Sequence, residues 1–263
     1  MWRFDDGSEA RLYGRGHQQY EVRFGPPHTP DVIKWLLIAN VGVFILQHVL
    51  PGFTQAFAAW PARFWQGALW QPASYMWLHS PGSLTHIGFI MLALWMFGSP
   101  LAAAWGRERF LRYYLICGVG AGLLIVTLPA LPVLLGLGAP PTYLLPTLGA
   151  SGAIFGVLLA YSLTWPDRTL MLLFPPIPIK ALYFIPFLFL VEFLFGPSNV
   201  SHVGHLGGVL VGWVLFRRQS RLPLLPSKDQ ILLRWRRYKM RRQLREVRRD
   251  QYRPWRDDDS RLH

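Results

Sequence analysis

Six apolar blocks, separated by proline, glycine and charge, constrain this chain more than any other feature of its sequence. They run over about 32–50, 84–105, 110–128, 151–165, 179–195 and 202–216, close to the roughly 17–25 residues with which an α-helix crosses hydrocarbon. Composition agrees: 52% hydrophobic beside 16% charged residues is too apolar for an ordinary water-soluble surface. The expected fold is an all-α membrane protein with six transmembrane helices. Segment 1–31 precedes the membrane domain, 32–217 forms it, and 218–263 is a basic tail. No internal repeat and no second, soluble domain is read.

Loop charge supplies an orientation, because Lys and Arg in short loops resist translocation. Arg3, Arg11, Arg15, Arg23 and Lys34 lie before or at the start of the first block, Arg107, Arg109 and Arg112 between the second and third, and Arg168 and Lys180 between the fourth and fifth. The intervening loops hold only Arg63 in the first and no Lys or Arg in 129–150 or 196–201. About sixteen of the 27 basic residues follow the last block, so the +13 net charge is mostly a property of the tail. Both termini are therefore expected in the cytoplasm. Residues 1–31 lack the continuous apolar core of a cleavable export signal, so the first spanning helix is expected to direct insertion. The single cysteine, Cys117, lies within the third block, permits no intrachain disulfide, and reads as a buried small hydrophobe.

Polar residues are expensive to keep inside a membrane and mark function by default. Five stand out: Ser151, His205, His202, His86 and Glu192. Ser151 sits in Gly149-Ala150-Ser151-Gly152-Ala153-Ile154-Phe155-Gly156. A helix from Ser151 to just before Pro166 has about fifteen residues, roughly 22 Å at 1.5 Å each, less than the ~30 Å hydrocarbon core, which sinks the serine below the outer surface. A helix N-terminus offers unpaired N–H groups and a positive dipole end, suited to an oxyanion. Gly149 and Gly152 leave room for a substrate backbone to approach. The same glycines also fit plain small-residue helix packing, with Ser151 a cap.

The second element is His202-Val203-Gly204-His205-Leu206-Gly207-Gly208, continuing to Gly212, at the start of the sixth block. A serine needs a base to become nucleophilic, and histidine is the usual one. His205 falls about a turn inside the helix, near the depth inferred for Ser151, and Gly208 with Gly212 forms a GxxxG face for close packing.

A GxSG sequence opening one membrane helix, with His, small residues and GxxxG opening the last, resembles the rhomboid family of intramembrane serine proteases, specifically the bacterial six-transmembrane type. The resemblance covers roughly 32–217. It implies Ser151 as nucleophile and His205 as general base in a dyad without an acid member, with Phe155 matching an aromatic position that packs on the base. Trp70-Gln71, Tyr75-Met76-Trp77-Leu78-His79, His86 and Leu94-Trp95-Met96-Phe97-Gly98 resemble the family's run through the second helix, implying that His86 and the Ser151 N–H hold the oxyanion. Two departures are visible. Ile90 stands where the family commonly carries an asparagine that also donates to the oxyanion, a loss worth about 10²–10³ in rate. Gln71 stands where an arginine usually follows the tryptophan.

The resemblance implies proteolysis of membrane proteins within their transmembrane helices, without metal or organic cofactor, in the plasma membrane of a bacterium. An inactive homologue that binds such helices is the alternative. Three other readings share these residues. His79, His86, His202 and His205 include a plausible metal-ligand spacing in His202-x-x-His205, but no cysteine or well-placed carboxylate completes a set. Glu192 suggests ion or proton transport, or a carboxylate near a helix end that is paired or directed to an interface. The fifth block also contains Pro186, expected to loosen a helix that resembles part of the family's lateral gate. The tail from Lys228 to Arg256 interleaves Arg with Trp235, Tyr238, Met240, Leu244 and Trp255, a pattern for contact with anionic lipid. No nucleic-acid-binding fold accompanies it, and no nucleic-acid partner is expected.

Overall fold

The computed structural model describes residues 25–172, 177–195 and 201–219, with six isolated positions between 232 and 244. Most of the basic tail and of segment 1–31 lies outside the described residues, and with them the expectation of lipid contact through the tail.

Among the described residues six helices dominate: α1 (Asp31–Val49), α2 (Leu84–Trp105), α3 (Arg107–Leu134), α4 (Ser151–Thr164), α5 (Ala181–Phe195) and α6 (His202–Gln219). The first three are long and apolar enough to cross a membrane, while α4 and the span Ala181–Glu192 of α5 are shorter apolar helices. Two short strands, β1 (Thr169–Met171) and β2 (Pro178–Lys180), form an antiparallel hairpin between α4 and α5 with Leu170 opposite Ile179. The described residues are mostly helical, as expected, with this short hairpin added; the hairpin also moves the start of the fifth block, since Ile179 is in a strand and the helix begins at Ala181. Pro186 lies inside α5.

Helix α4 is the hub, packed against α2, α3, α5 and α6. Its contact with α6 is glycine on glycine. A Cβ on Gly208 would collide with the Gly152 carbonyl, and one on Gly212 would come within 3.1 Å of the Gly156 Cα, so the two backbones touch where no side chain intervenes. Helix α3 meets this same contact: the Tyr113 hydroxyl donates to the Gly156 carbonyl at 2.9 Å, and Cys117 is buried against Gly156, unpaired by disulfide. Helix α2 widens over Leu94–Gly98 into a π-type turn, which inserts one extra residue and rotates the faces on either side relative to one another. At the end of α2, Gly106 has φ +83° and lets the chain reverse at once into α3.

The outside of the bundle is apolar. Trp35, Ile38, Ile45 and Val49 of α1, Phe89 of α2, Leu190 and Leu194 of α5, and Leu206 and Leu210 of α6 are all exposed. A surface of this kind would aggregate in water and suits contact with lipid chains.

The segment between α1 and α2 is tied to the bundle by buried polar pairs. Gln47 of α1 binds the backbone of His79 twice, accepting from its N–H at 2.9 Å and donating to its carbonyl at 2.9 Å. Within that segment Gln71 is buried, and its Oε1 accepts from the Trp60 N–H at 3.0 Å.

A candidate active site at the start of α4

Residues 147–151 lead into α4 along the segment between α1 and α2. Ala59 and Thr147 exchange backbone hydrogen bonds at 2.9 and 2.8 Å, and the Gly149 N–H donates to the Tyr75 carbonyl at 3.0 Å. Gly149 has φ +127°, a conformation that side chains rarely adopt. A Cβ there would lie 3.3 Å from the His86 ring, a tight contact, and 3.8 Å from Ser151 Oγ, an ordinary one. His86 and the serine therefore flank one small opening at the helix start.

Ser151 is the first residue of α4, and no side-chain hydrogen bond caps that helix. Its hydroxyl is not spent on a cap, and the first N–H groups of the helix point the same way without intrahelical partners. Ser151, Gly152, Phe155, His86, Ile90 and His205 all line one cavity of about 490 Å³. Among the described residues no hydrogen bond joins Ser151 to His205. Catalytic hydrogen bonds are often long before substrate arrives.

The His205 ring is held on two sides. Phe155, one turn along α4 from the serine, stacks on it with centroids 4.2 Å apart and planes 16° from parallel, and Phe189 of α5 backs Phe155 at 5.3 Å. At the ring edge, His205 Nδ1 meets Glu192 Oε2 at 2.7 Å. The other oxygen of Glu192 meets Nδ1 of His202 at 2.6 Å. Reading the sequence missed this link: Glu192 stood out as a membrane carboxylate, unconnected to His205 thirteen residues later on the next helix. Its one sequence signal is that α5 ends and α6 begins within a few residues, which brings polar groups at those two ends together.

His86 is oriented by the loop before α2. Its N–H donates to the Ser83 hydroxyl, the cap of that helix, at 3.2 Å, and its Nδ1 accepts a long hydrogen bond from the Ser80 N–H at 3.4 Å. With Nδ1 accepting, the proton belongs on Nε2, the atom nearer the Gly149 opening. His79 has a different task. It is fully buried, its Nε2 meets Asn40 Oδ1 at 3.0 Å, and burial, with the neighbouring His86, holds its imidazole down to about 4, so at neutral pH it is an uncharged structural bridge to α1. No group of three or more His, Cys, Asp and Glu among the described residues converges on a metal position.

The chemistry available in the cavity is that of acyl transfer: a free serine hydroxyl at a helix N-terminus, a histidine donor beside it and a second histidine with an anchored ring.

A family profile described as a Rhomboid domain matches residues 66–220. The chain is 30% identical over 217 residues to Rhomboid protein 1, mitochondrial, of Saccharomyces cerevisiae, covering 74% of this chain and 58% of that protein. Over 201 residues it is 30% identical to RHOMBOID-like protein 12, mitochondrial, of Arabidopsis thaliana, covering 72% and 58%. With Rhomboid protease GluP of Bacillus subtilis it shares 28% identity over 148 residues, covering 56% and 25%. The chain thus spans a little over half the length of the first two of these relatives.

Proposed function

This chain belongs to the rhomboid family, and from that premise we propose that it is a serine endopeptidase that cuts membrane proteins within their transmembrane segments. The observation that carries the reading is the single cavity lined by Ser151, His205 and His86 at the N-terminus of α4. The similarity to a Bacillus rhomboid protease supports it.

In this mechanism a substrate segment unwinds near its outer end and presents a peptide carbonyl to Ser151. Ser151 Oγ attacks the carbonyl carbon while its proton passes to His205 Nε2, and the carbonyl electrons move onto oxygen. The Ser151 N–H and His86 Nε2–H donate to that oxyanion. Collapse re-forms the carbonyl and breaks the C–N bond, and His205 delivers its proton to the departing amine. Water then attacks the acyl-enzyme with His205 again as base, releasing the second product and restoring the serine. Gly149 and Gly152 give the substrate backbone its approach, and Phe155 keeps the base in plane.

The same reading has six crossings formed by α1 to α6, a membrane domain over 32–217, and cytoplasmic segments over 1–31 and 218–263. It sets the protein in a bacterial plasma membrane. Two of the relatives are named as mitochondrial, which offers that organelle as the other setting. Substrates are membrane proteins with a transmembrane helix, and no cofactor takes part. One observation favours a second reading, binding of transmembrane helices without cleavage: Ile90 lines the cavity and donates nothing to an oxyanion.

Cleavage of a transmembrane reporter in proteoliposomes separates the two. Products that appear with the wild type and vanish with Ser151→Ala are expected; reporter that binds and stays intact with the wild type would sink the protease reading.

A further inference from the structure

We infer that Glu192 is a positioning residue for His205, a carboxylate on α5 that fixes the tautomer and rotation of the base on α6. This inference deepens the serine-protease reading and rests on it.

The geometry is specific. Glu192 Oε2 lies 2.7 Å from His205 Nδ1, and the two side chains are only 10% and 12% exposed. An ionised carboxylate only accepts hydrogen bonds, so Nδ1 must carry the proton. The neutral ring then has its lone pair on Nε2, the one tautomer that can take a proton from Ser151. Without an acceptor at Nδ1, either nitrogen can hold the proton and the ring is free to turn. Phe155 restrains the ring plane but not the choice of nitrogen; only a polar partner at the edge does that.

Glu192 is itself held. Its Oε1 is 2.6 Å from Nδ1 of His202, which is 61% exposed, so each oxygen has a donor and the carboxylate cannot rotate freely. His202 and His205 are the titratable groups that face it among the described residues, with His86 of α2 farther along the same cavity wall. When the serine proton reaches Nε2, the imidazolium forms beside a carboxylate that is already in place and mostly withdrawn from water, where a charge-assisted hydrogen bond is strongest.

The pair also joins two helices. Glu192 lies in the last turn of α5, the helix that contains Pro186, and His205 lies in the first turns of α6. Any outward movement of the end of α5 draws the carboxylate off the base, so the base is aligned only while that helix end is seated.

The test measures kcat and KM on a transmembrane reporter in proteoliposomes for the wild type, Ser151→Ala, Glu192→Gln and Glu192→Asp, with the Nδ1–H proton resonance of His205 followed in the Ser151→Ala background. Glu192→Gln keeps the shape but can donate to Nδ1, and so favours the wrong tautomer. Its kcat is expected to fall by roughly 10²–10⁴ with KM within about twofold, on the scale of general-base effects. Glu192→Asp keeps the charge and is expected to recover at least about tenfold of that loss, because its carboxylate still accepts from Nδ1. A strongly deshielded Nδ1–H that disappears with Glu192→Gln would support the pairing independently of turnover. Wild-type turnover with an unchanged kcat in Glu192→Gln would overturn the inference and leave the protease reading intact. No wild-type turnover would overturn the protease reading, and an absent Nδ1–H resonance would then overturn the pairing as well.

Discussion

Ile90 faces the same cavity as Ser151 and His86, one turn along α2 from His86. In the proposed mechanism an aliphatic side chain there leaves the oxyanion with the Ser151 N–H and the His86 Nε2–H as donors. Ile90→Asn adds an amide with two N–H groups at that wall, and its expected effect is a rise in kcat of up to about 10²–10³, the scale of one oxyanion donor, with little change in KM; steady-state cleavage of a transmembrane reporter reads it. An unchanged kcat would mean that the amide does not reach the developing charge. Much of this site is legible residue by residue, because the glycines of Gly149-Ala150-Ser151-Gly152 and of the His205 stretch mark helix starts and close approaches in the sequence itself. The pairing of Glu192 with His205 is not, since it depends on which way two side chains turn where helices meet.

At the scale of elements, the site depends on α4 and α6 lying backbone to backbone. Gly208 has no room for a Cβ against the Gly152 carbonyl, and its helix carries His205 less than one turn away. Gly208→Val must therefore push the helices apart or unseat one of them, and overpacking of this kind costs about 1–3 kcal/mol. A shift of about 1 Å between reacting groups is worth about 10²-fold in rate. Lower thermal stability in detergent and a kcat reduced by at least that factor are expected together, while an active and equally stable variant would contradict the close contact. The helices were legible here because long apolar blocks broken by Pro, Gly and charge have few other solutions. The hairpin was not: Ile179 sits in a short apolar run that serves a strand or a helix equally well, and its backbone pairing with residues 169–171 is not written in local composition. Nor does any pattern distinguish the π-type turn at Leu94–Gly98 from ordinary helix.

For the molecule as a whole, the exposed apolar belt and the alternation of basic loops describe one arrangement in the bilayer. On the topology proposed above, the cavity opens outward and the β1–β2 hairpin, with Arg168 just before it and Lys180 at its end, lies on the cytoplasmic side. Cys117 is buried, so the protein is well suited to labelling of introduced cysteines. With a membrane-impermeant maleimide applied from outside, Ser83→Cys is expected to react in intact cells and Thr169→Cys only after lysis; the reverse order would invert the topology and place the cavity on the wrong side. Activation of Ser151 by His205 is tested directly by reacting detergent-purified protein with a fluorophosphonate serine probe, comparing the wild type with Ser151→Ala and His205→Ala. Labelling of the wild type that is lost in both variants is the predicted result, because it requires a serine activated by that histidine. A folded wild type that resists two such probes, or labelling that survives Ser151→Ala, would contradict it.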